Sequence, residues 1–534
     1  MSVNEQLPDT SAPAPSGSDA PKDGGRLWRS LWRTHFYAGI FSMPVLIMLA
    51  VTGLGILYTD TVNHWQFGEL YRASSAAQRV SLDDQRRNVA DQYPTWTIGS
   101  VTPARRPGDT TVFAVSKDDG AKALNVYTDP SDGTVVGDLD PGAGLVGLSN
   151  RLHGQLNTSS WTVPVPMLSG IFGDEDLTVP VAVGDLVVEV FAVWSLVLAL
   201  TGLYLWWPRK KGTGKALFVP RLGKKGRARW RDLHAVPGLV LSVMLVFFVT
   251  TGMPWSDVWG ANWSWAASKI TPNTSDFWSD EAPTSDVPKV GDLDRVGNRV
   301  PWAAREDQIP TSGTGPSMPG MDMGGAPATE QPGLPLGTTP PQASLQLVVQ
   351  AALEDGMLPG ATVAFPVNDF SKPSEPVFGA YVVTNPWPSS LGEQGALYLD
   401  QFTARTISRS TSKEWGGLQR ATELGVQTHM GTQFGLADRI VMTLGCVLVL
   451  WASFSALVMW WKRRRTGLGF PRRPFDAKLQ RVMLVTAVLL AIIYPVWGVS
   501  VLLVLLLDKF VVRKVPPLRR AFGMRDRTEV TTGS

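Results

Sequence analysis

The sequence predicts a membrane α-helical bundle with two extracytoplasmic α+β domains. Apolar residues make up 44% of the 534 residues, and they are concentrated in blocks long enough to cross a bilayer as helices. Lysine and arginine cluster in the short segments that join these blocks. The order span, long loop, span occurs twice along the chain. We therefore expect four long transmembrane helices in two tandem repeats, followed by a C-terminal hairpin of short helices.

The four spans lie at residues 36–58, 185–207, 235–255 and 439–461. Each has roughly the twenty residues that a transmembrane helix needs. The predicted segments are a disordered cytoplasmic tail (1–25), the first span (26–58), a first exterior domain (59–150), a connector with the second span (151–207), a basic cytoplasmic loop (208–233), the third span (234–257), an exterior region with a disordered linker (258–342), a second exterior domain (343–428), the fourth span (429–461), a basic cytoplasmic loop (462–480), the hairpin (481–508) and a basic cytoplasmic tail (509–534).

Basic residues predict the orientation of the chain. The segment 208–231 carries ten Lys or Arg and no acid, and Arg26, Arg29 and Arg33 precede the first span. Short loops rich in Lys and Arg stay in the cytoplasm, so we expect a cytoplasmic N-terminus. The first span is too long for a signal peptide and lacks a small-residue cleavage pattern. The single cysteine, Cys446, excludes an internal disulfide and a cysteine-bound metal or iron–sulfur site.

The last apolar stretch could cross the membrane once or fold back as two short helices. A single crossing would place the basic tail outside, against the positive-inside bias. Proline ends a helix, and Tyr494-Pro495 with the nearby Gly498 offers a break. We therefore expect a hairpin over residues 481–508 that returns the tail to the cytoplasm.

Each long loop contains a predicted helix followed by predicted strands. In the first loop the helix is 81–94, the strands are 97–105, 110–117 and 123–137, and the last of these turns at 129–133. In the second loop the helix is 344–358 and the strands are 361–368, 377–384 and 396–408. The same order in both loops indicates that the exterior unit is repeated.

A segment rich in Gly, Pro, Ser and Thr precedes the second exterior unit and is predicted to be disordered. It contains Met318, Met321 and Met323, whose thioethers suit Cu(I). No histidine lies beside them, so ordinary linker composition is the main interpretation and copper binding the alternative.

Two of the five histidines begin spans in matching contexts. The aligned pairs are His35 with His234, Gly39 with Gly238, Thr52 with Thr251, and Gly53 with Gly252, without a gap. Residues four and eighteen apart lie near one face of an α-helix. Each span therefore carries a stripe of one histidine and two glycines against which a flat, bulky group can lie.

Two further histidines precede the second and fourth spans, His153 and His429. Two histidines thus lie at the inner mouth of the bundle and two near the outer mouth, one from each repeat. Paired histidines on facing helices hold a haem by two axial imidazoles, an arrangement that suits electron transfer. The candidate residues for two b-type haems are His35, His234, His153 and His429, with Gly39, Gly238, Gly53 and Gly252 as the surfaces for the porphyrins.

Simpler interpretations stay open. Histidines at span boundaries are often interfacial, ionisable groups there can relay protons, and glycines can serve helix packing alone. His64 has no repeat partner and is expected on the surface, with replacement of one outer ligand as the alternative. Asp185 and Glu189 could pair with Arg439 or hydrogen-bond a ligating imidazole.

The expected partners follow from motifs and charge. No strand–GxGxxG–helix or Walker sequence is present, so an electron donor must be a separate molecule. The basic segments are expected to fix the topology and contact anionic lipids of the bilayer, with docking of an acidic donor as the alternative. No nucleic-acid partner is expected.

The sequences "WRTHFYAGIF", "RLHGQL" and "LALTGLYLWWPR" resemble the PepSY-associated transmembrane family of iron-regulated bacterial membrane proteins. The exterior "YTDPSDGTVVG" and "LYLDQFTARTI" resemble the ends of PepSY modules. The resemblance covers most of residues 26–515 and implies an inner-membrane haem protein that reduces ferric siderophores. It departs from the family pattern at Thr403-Ala404-Arg405, where Thr-Gly-Lys is usual, and at Ser455-Ala456, which aligns with Thr201-Gly202. Some members of the family carry a fused flavin reductase domain, and none is expected from this sequence.

The favoured interpretation is a di-haem b-type cytochrome. It would move electrons from a cytoplasmic flavin reductase or a quinol to an exterior acceptor, such as a ferric chelate or ferric siderophore. Whether the protein is an enzyme, a membrane ferric reductase, depends on that acceptor. One alternative is a non-enzymatic PepSY membrane scaffold or sensor, and another is an iron or copper transporter.

Overall fold

The computed structural model describes residues 23–74, 79–117, 122–173, 178–207, 218–221, 223, 225–271, 342–368, 378–385, 388–463 and 477–522. Its helices are α1 (Asp23–Leu57), α2 (Thr59–Phe67), α3 (Leu82–Gln92), α4 (Gly144–Gln155), α5 (Leu168–Ile171), α6 (Val183–Trp206), α7 (Arg227–Gly252), α8 (Asp257–Ile270), α9 (Leu345–Glu354), α10 (Gly417–His429), α11 (Leu436–Arg463), α12 (Ala477–Ile493), α13 (Pro495–Leu507) and α14 (Pro516–Ala521). Its strands are β1 (Thr97–Thr102), β2 (Thr111–Lys117), β3 (Lys122–Thr128), β4 (Val135–Leu139), β5 (Thr162–Pro166), β6 (Thr178–Ala182), β7 (Thr362–Ala364), β8 (Tyr381–Thr384), β9 (Gly395–Leu399) and β10 (Thr406–Thr411).

Four long helices, α1, α6, α7 and α11, form an antiparallel bundle. Each packs against two neighbours in the cyclic order α1, α6, α7, α11, so α1 and α7 face each other diagonally. All four are long and apolar enough to cross a membrane, because their apolar residues occupy nearly the whole circumference. The chain is a multi-pass membrane protein. We call the end of the bundle that carries Arg227, Arg231 and Arg463 the basic end.

The remaining apolar stretch forms two helices, as the sequence predicts, but the second with its continuation, Pro495–Val512, is itself long and apolar enough to cross a membrane. Helices α12 and α13 are separated at Tyr494-Pro495, and a Cβ placed on Gly498 would lie 2.6 Å from the Ala491 Cβ. The two helices therefore fold back on each other. The break is packed, since the indole N–H of Trp259 donates to the Ile493 carbonyl oxygen at 3.0 Å. Phe522 then stacks on Tyr37 near the start of α1, so the chain returns to the basic end.

Both exterior units lie at the opposite end of the bundle, which we call the sheet end. The helices and strands predicted for each unit are present, but the two units are not separate domains. They form one eight-stranded antiparallel sheet with the order β10-β9-β8-β7-β1-β2-β3-β4. The first strands of the two units, β1 and β7, pair at its centre with Val101 opposite Val363.

Side chains from both units also share one hydrophobic core. Val101, Phe113 and Val126 of the first unit are fully buried together with Tyr381 and Leu397 of the second. The Asp83 carboxylate accepts a hydrogen bond from the Leu345 N–H at 3.1 Å, so an acid at the start of α3 caps α9. The sheet end of the protein is therefore a single body that bridges the two halves of the bundle.

Candidate functional site

The first candidate site lies between α1 and α7 near the basic end. His35 projects from the first third of α1 and His234 from the second turn of α7. Their ring centroids are 6.4 Å apart, and the ring planes are inclined by 79°. The structure thus brings together two histidines that are almost two hundred residues apart in the sequence and belong to different repeats.

Each of these two imidazoles is held by a neighbouring helix of its own repeat. His35 Nδ1 lies 3.0 Å from the Thr201 hydroxyl of α6. His234 Nδ1 lies 3.0 Å from the Ser455 hydroxyl of α11 and 3.2 Å from the Ala452 carbonyl oxygen. Among the described residues, Nε2 of neither ring has a hydrogen bond.

The second candidate site lies near the sheet end. His153 is in the last turn of α4, which ends because Leu156 and Asn157 adopt positive φ angles of 49° and 58°. His429 is the last residue of α10. α11 begins soon after α10, whereas β5, α5 and β6 separate α4 from α6.

The hydrogen bonds at the sheet end repeat those at the basic end. His153 Nδ1 lies 2.9 Å from the Thr52 hydroxyl of α1, and His429 Nδ1 lies 2.9 Å from the Thr251 hydroxyl of α7. The ring of Phe248 meets the His429 ring edge-on, with centroids 5.3 Å apart. Each of the four histidines therefore pairs with a hydroxyl on an adjacent long helix.

Both sheet-end imidazoles are neutral at pH 7. Burial lowers the pKa of His153 and of His429 to about 4. The charge that His153 would carry lowers the pKa of His429 further, while the backbone of Phe248 opposes that decrease. A neutral imidazole has one nitrogen lone pair available to a metal.

The glycines of the aligned stripes divide into two groups. A Cβ on Gly53 would lie 3.4 Å from the His153 Cε1, and one on Gly252 would lie 3.2 Å from the His429 Cε1. The edges of the two imidazole rings therefore pack directly against these distal glycines at the sheet end. Gly202, in α6, does the same for His35 at 3.3 Å. Gly39 and Gly238 instead line the basic-end cavity. A Cβ on Gly238 would have nothing within 4 Å, and one on Gly39 would lie 3.6 Å from the Leu198 Cδ2.

A cavity of about 610 Å³ surrounds the basic-end pair. Its wall is mainly aliphatic and aromatic and includes both histidines with Gly39, Gly202 and Gly238. Four arginines also line it: Arg221, Arg227, Arg231 and Arg463. This volume is typical of sites for small molecules and cofactors. The wall also includes Asp232, which pairs with Arg221 and Arg231. The net positive charge that remains on a mainly apolar wall favours an apolar ligand with anionic substituents.

Asp185 and Glu189 do not use the partners suggested from the sequence. Both are buried in α6, and they accept hydrogen bonds from the N–H groups of Asp257 and Trp259, each at 3.1 Å. The two acids thus cap the N-terminus of α8, where the helix dipole favours negative charge. The guanidinium of Arg439 lies over the ring of Tyr58 at 5.9 Å.

The other candidates lie apart from the two histidine pairs. His64 is exposed on α2, where its Nδ1 lies 2.8 Å from the Asp60 carbonyl oxygen and its ring stacks on Tyr71. The methionine cluster at 318–323 lies outside the described residues. Within the described part of the chain, no three His, Cys, Asp or Glu side chains form a group that could hold a metal ion.

The donor set of each site is two imidazoles. Metal–imidazole bonds are about 2 Å long and the nitrogen lies about 1 Å from the ring centroid, so two rings sharing one metal atom have centroids about 6 Å apart. The observed 6.4 Å at the basic end fits that separation. The residues present therefore fit an iron porphyrin, which His35 and His234 would hold, and arginines of the cavity wall would bind its carboxylates.

Sequence reasoning missed two features of these sites. The hydroxyls of Thr52, Thr201, Thr251 and Ser455 are the partners of the four histidines. A Thr-Gly or Ser-Ala pair occurs at matching positions of the aligned long helices, and this recurrence is the sequence signal that could have identified the hydroxyls. The arginines that line the cavity were also missed, because basic residues at a membrane boundary are expected for topology alone.

No curated protein sequence matches this chain significantly. The family model described as PepSY-associated TM region matches residues 32–463. This match includes three of the long helices, most of α1, both units of the sheet and the four paired histidines. The chain therefore belongs to the family that carries the PepSY-associated transmembrane region.

Proposed function

We propose that the protein is a di-haem b-type cytochrome that moves electrons across the bilayer. His35 and His234 would hold one haem near the basic end, and His153 and His429 would hold the other near the sheet end. The basic end would face the cytoplasm, with the N-terminus, and the protein would lie in the bacterial inner membrane. The exterior acceptor would be a ferric chelate such as a ferric siderophore.

The separation of the His35 and His234 rings carries this proposal. Two imidazoles from different repeats lie at 6.4 Å between centroids, which matches two ligands on opposite sides of one metal atom. Both rings have Nδ1 hydrogen-bonded to another helix, leaving Nε2 for the metal. Two histidines that served only as interfacial polar groups would not need to converge inside the bundle.

The basic-end cavity supports a haem in particular. Gly39 and Gly238 contribute no side chain to the wall, so a planar macrocycle can approach the backbone of α1 and α7. A haem has two carboxylates, and arginine is the side chain best suited to bind carboxylate groups. Arg221 and Arg231 share the carboxylate of Asp232, and Arg227 and Arg463, which also line the cavity, would be the other arginines for the haem carboxylates.

The position of the second site follows from the spacing along α1 and α7. The residues that meet the sheet-end histidines, Thr52 and Thr251, lie seventeen positions after His35 and His234. Seventeen residues of α-helix rise about 25 Å. The two sites are therefore separated by most of the hydrocarbon thickness of a bilayer, one near each face.

The residues of the chain determine what these sites can do. His35 with His234, and His153 with His429, would each hold one haem iron through two imidazoles, a ligand set that suits electron transfer rather than oxygen binding. A bound haem would supply one-electron transfer. The polypeptide would fix the ligands and keep the site within apolar side chains, and no acid–base residue is needed for electron transfer.

The partners follow from the same reasoning. The electron donor would be a cytoplasmic flavin reductase or a membrane quinol. Siderophores bind iron(III) far more tightly than iron(II), so one electron would release the metal outside. The fused exterior sheet would provide the docking surface for that chelate beside the sheet-end site.

The test is haem content and its dependence on single histidines. The purified protein should show reduced b-type absorption with two haems per chain. Replacing His35, His234, His153 or His429 singly by Ala should remove about half of the haem, and the two members of one pair should give the same spectral loss. His64→Ala is the matched control and should keep both haems.

Three results would overturn parts of this proposal. A colourless full-length protein would favour a scaffold, a sensor or a metal transporter. Full haem retention in one variant would reassign that ligand. Loss of one haem in His64→Ala would exclude the proposed sheet-end pair.

A further inference from the structure

The hydroxyls that meet the four histidines share one hydrogen-bonding arrangement. Thr52, Thr201 and Thr251 each donate to the backbone carbonyl four residues earlier, at 2.8, 2.6 and 2.7 Å. Ser455 donates to the Ala452 carbonyl at 3.0 Å. A hydroxyl has a single proton. Because that proton is directed to a carbonyl, the hydroxyl oxygen can only accept a hydrogen bond from the histidine.

A second acceptor supports the same direction at His234. Its Nδ1 also lies 3.2 Å from the Ala452 carbonyl oxygen, and a carbonyl cannot donate. All four Nδ1 atoms therefore face a hydroxyl oxygen whose proton is directed to a carbonyl, and the Nδ1 of His234 faces a carbonyl oxygen as well.

We infer that Thr52, Thr201, Thr251 and Ser455 are positioning residues that hold the four histidines in the Nδ1–H tautomer. The tautomer follows from the hydrogen bonds alone, whereas its effect on metal binding rests on the proposed haem sites. With the proton on Nδ1, the lone pair of every ring is on Nε2. The four hydroxyls thus select the nitrogen that binds the metal and prevent the ring from rotating.

The hydroxyl that accepts the Nδ1–H hydrogen bond would also affect the midpoint potential of a bound haem. A ligating imidazole becomes a better electron donor when its other N–H donates a strong hydrogen bond. Removing the acceptor makes the imidazole a weaker donor, which destabilises iron(III) relative to iron(II). The midpoint potential of that haem alone should therefore rise. The neighbouring small residues Gly53, Gly202 and Gly252 allow each ring to come close to its hydroxyl.

Thr251→Val tests the inference, because valine keeps the branched shape and removes only the hydroxyl. Thr250→Val is the matched control, since Thr250 makes the same backbone hydrogen bond to Val246 at 2.9 Å but contacts no histidine in the part of the chain that the structure describes. In Thr251→Val we expect the reduced-to-oxidised ratio of one haem to increase about tenfold at a fixed ambient potential. This corresponds to an upward shift of about 59 mV in the midpoint potential of a one-electron couple. The other haem should be unchanged, and Thr251→Ser should restore the original value.

A second measurement separates this inference from the haem proposal. Nitrogen-15 NMR of histidine-labelled, haem-free full chain should report Nδ1–H tautomers for the buried histidines, and a mixture for His429 in Thr251→Val. That measurement stands even if the wild-type protein contains no haem, in which case only the haem proposal fails. An Nε2–H tautomer in the wild type would overturn the inference. So would a haem-retaining Thr251→Val with an unchanged potential, or an equal shift in Thr250→Val.

Discussion

Adding one methyl group at Gly252 tests whether this glycine is required by the histidine rather than by the helix. In Gly252→Ala the new Cβ would lie 3.2 Å from Cε1, 3.6 Å from Nδ1 and 3.9 Å from Nε2 of His429. Carbon atoms in contact are about 3.5–4.0 Å apart, so the ring must move by a few tenths of an ångström. The same ring is held by a 2.9 Å hydrogen bond to Thr251, which this movement would strain.

The expected free-energy change has two opposing parts. Overpacking in a well-packed site destabilises by about 1–3 kcal/mol. Alanine is favoured over glycine inside a helix by about 1 kcal/mol. The net loss for Gly252→Ala is therefore about 0–2 kcal/mol. The control Gly154→Ala adds the same methyl beside His153, where nothing lies within 4 Å, so it should stabilise the protein by about 1 kcal/mol.

The assay compares thermal unfolding in detergent and haem-to-protein ratio for the two variants. Gly252→Ala should be less stable than Gly154→Ala by about 1–3 kcal/mol, and it should weaken retention of one haem only. If Gly252→Ala matches Gly154→Ala in stability and keeps its full haem, the close approach of His429 to α7 is not what excludes a side chain there.

Three further perturbations test other parts of the structure. The pKa of His153 and of His429 is about 4 in the folded protein against about 6.5 when unfolded. The unfolded chain therefore binds protons first as the pH falls. The haem-free protein should keep its full stability above pH 6.5 and lose up to about 2 kcal/mol per histidine by pH 5; a flat melting profile over that range would contradict the burial of these rings. Glu189→Gln retains an acceptor for the Trp259 N–H and should change the unfolding free energy by less than about 1 kcal/mol, whereas Glu189→Ala should lose about 2–3 kcal/mol; equal effects would show that the α8 cap is unimportant. Asp83→Ala removes the carboxylate that accepts from Leu345 and should cost about 1 kcal/mol, measured as earlier unfolding of the exterior sheet, while Asp91→Ala, on the exposed side of α3, should have no effect.

Local patterns in the sequence predicted most individual elements of the fold. Hydropathy located the four long helices, because a span must be apolar around its whole circumference. Proline and charge located the hairpin, which breaks at Tyr494-Pro495. The exterior helices and strands also lie where their patterns indicate. What the sequence did not predict is the pairing of β1 with β7, since these strands are far apart in the chain and their pairing depends on how two whole units meet.

For the candidate sites, the sequence likewise identified the residues but not the contacts between them. The repeat placed His35 opposite His234 in an alignment, but an alignment contains no distance. The distal glycines were interpreted as surfaces for a porphyrin, whereas Gly53 and Gly252 contact imidazole rings. That contact involves α4 and α10, short helices that precede the spans, and helical periodicity within one span gives no information about them.

The arrangement of contacts explains why each repeat alone is incomplete. Within the first repeat, Thr201 holds His35 and Thr52 holds His153; within the second, Ser455 holds His234 and Thr251 holds His429. Each half therefore orients its own imidazoles by contacts that do not involve the other half. The close approach of His35 to His234, in contrast, joins the two halves, as does the pairing of β1 with β7. Interfaces between related units bring equivalent residues together near their common axis. A metal bound between paired histidines would therefore lie near this axis, and its binding would stabilise the association of the two halves as well as the site itself.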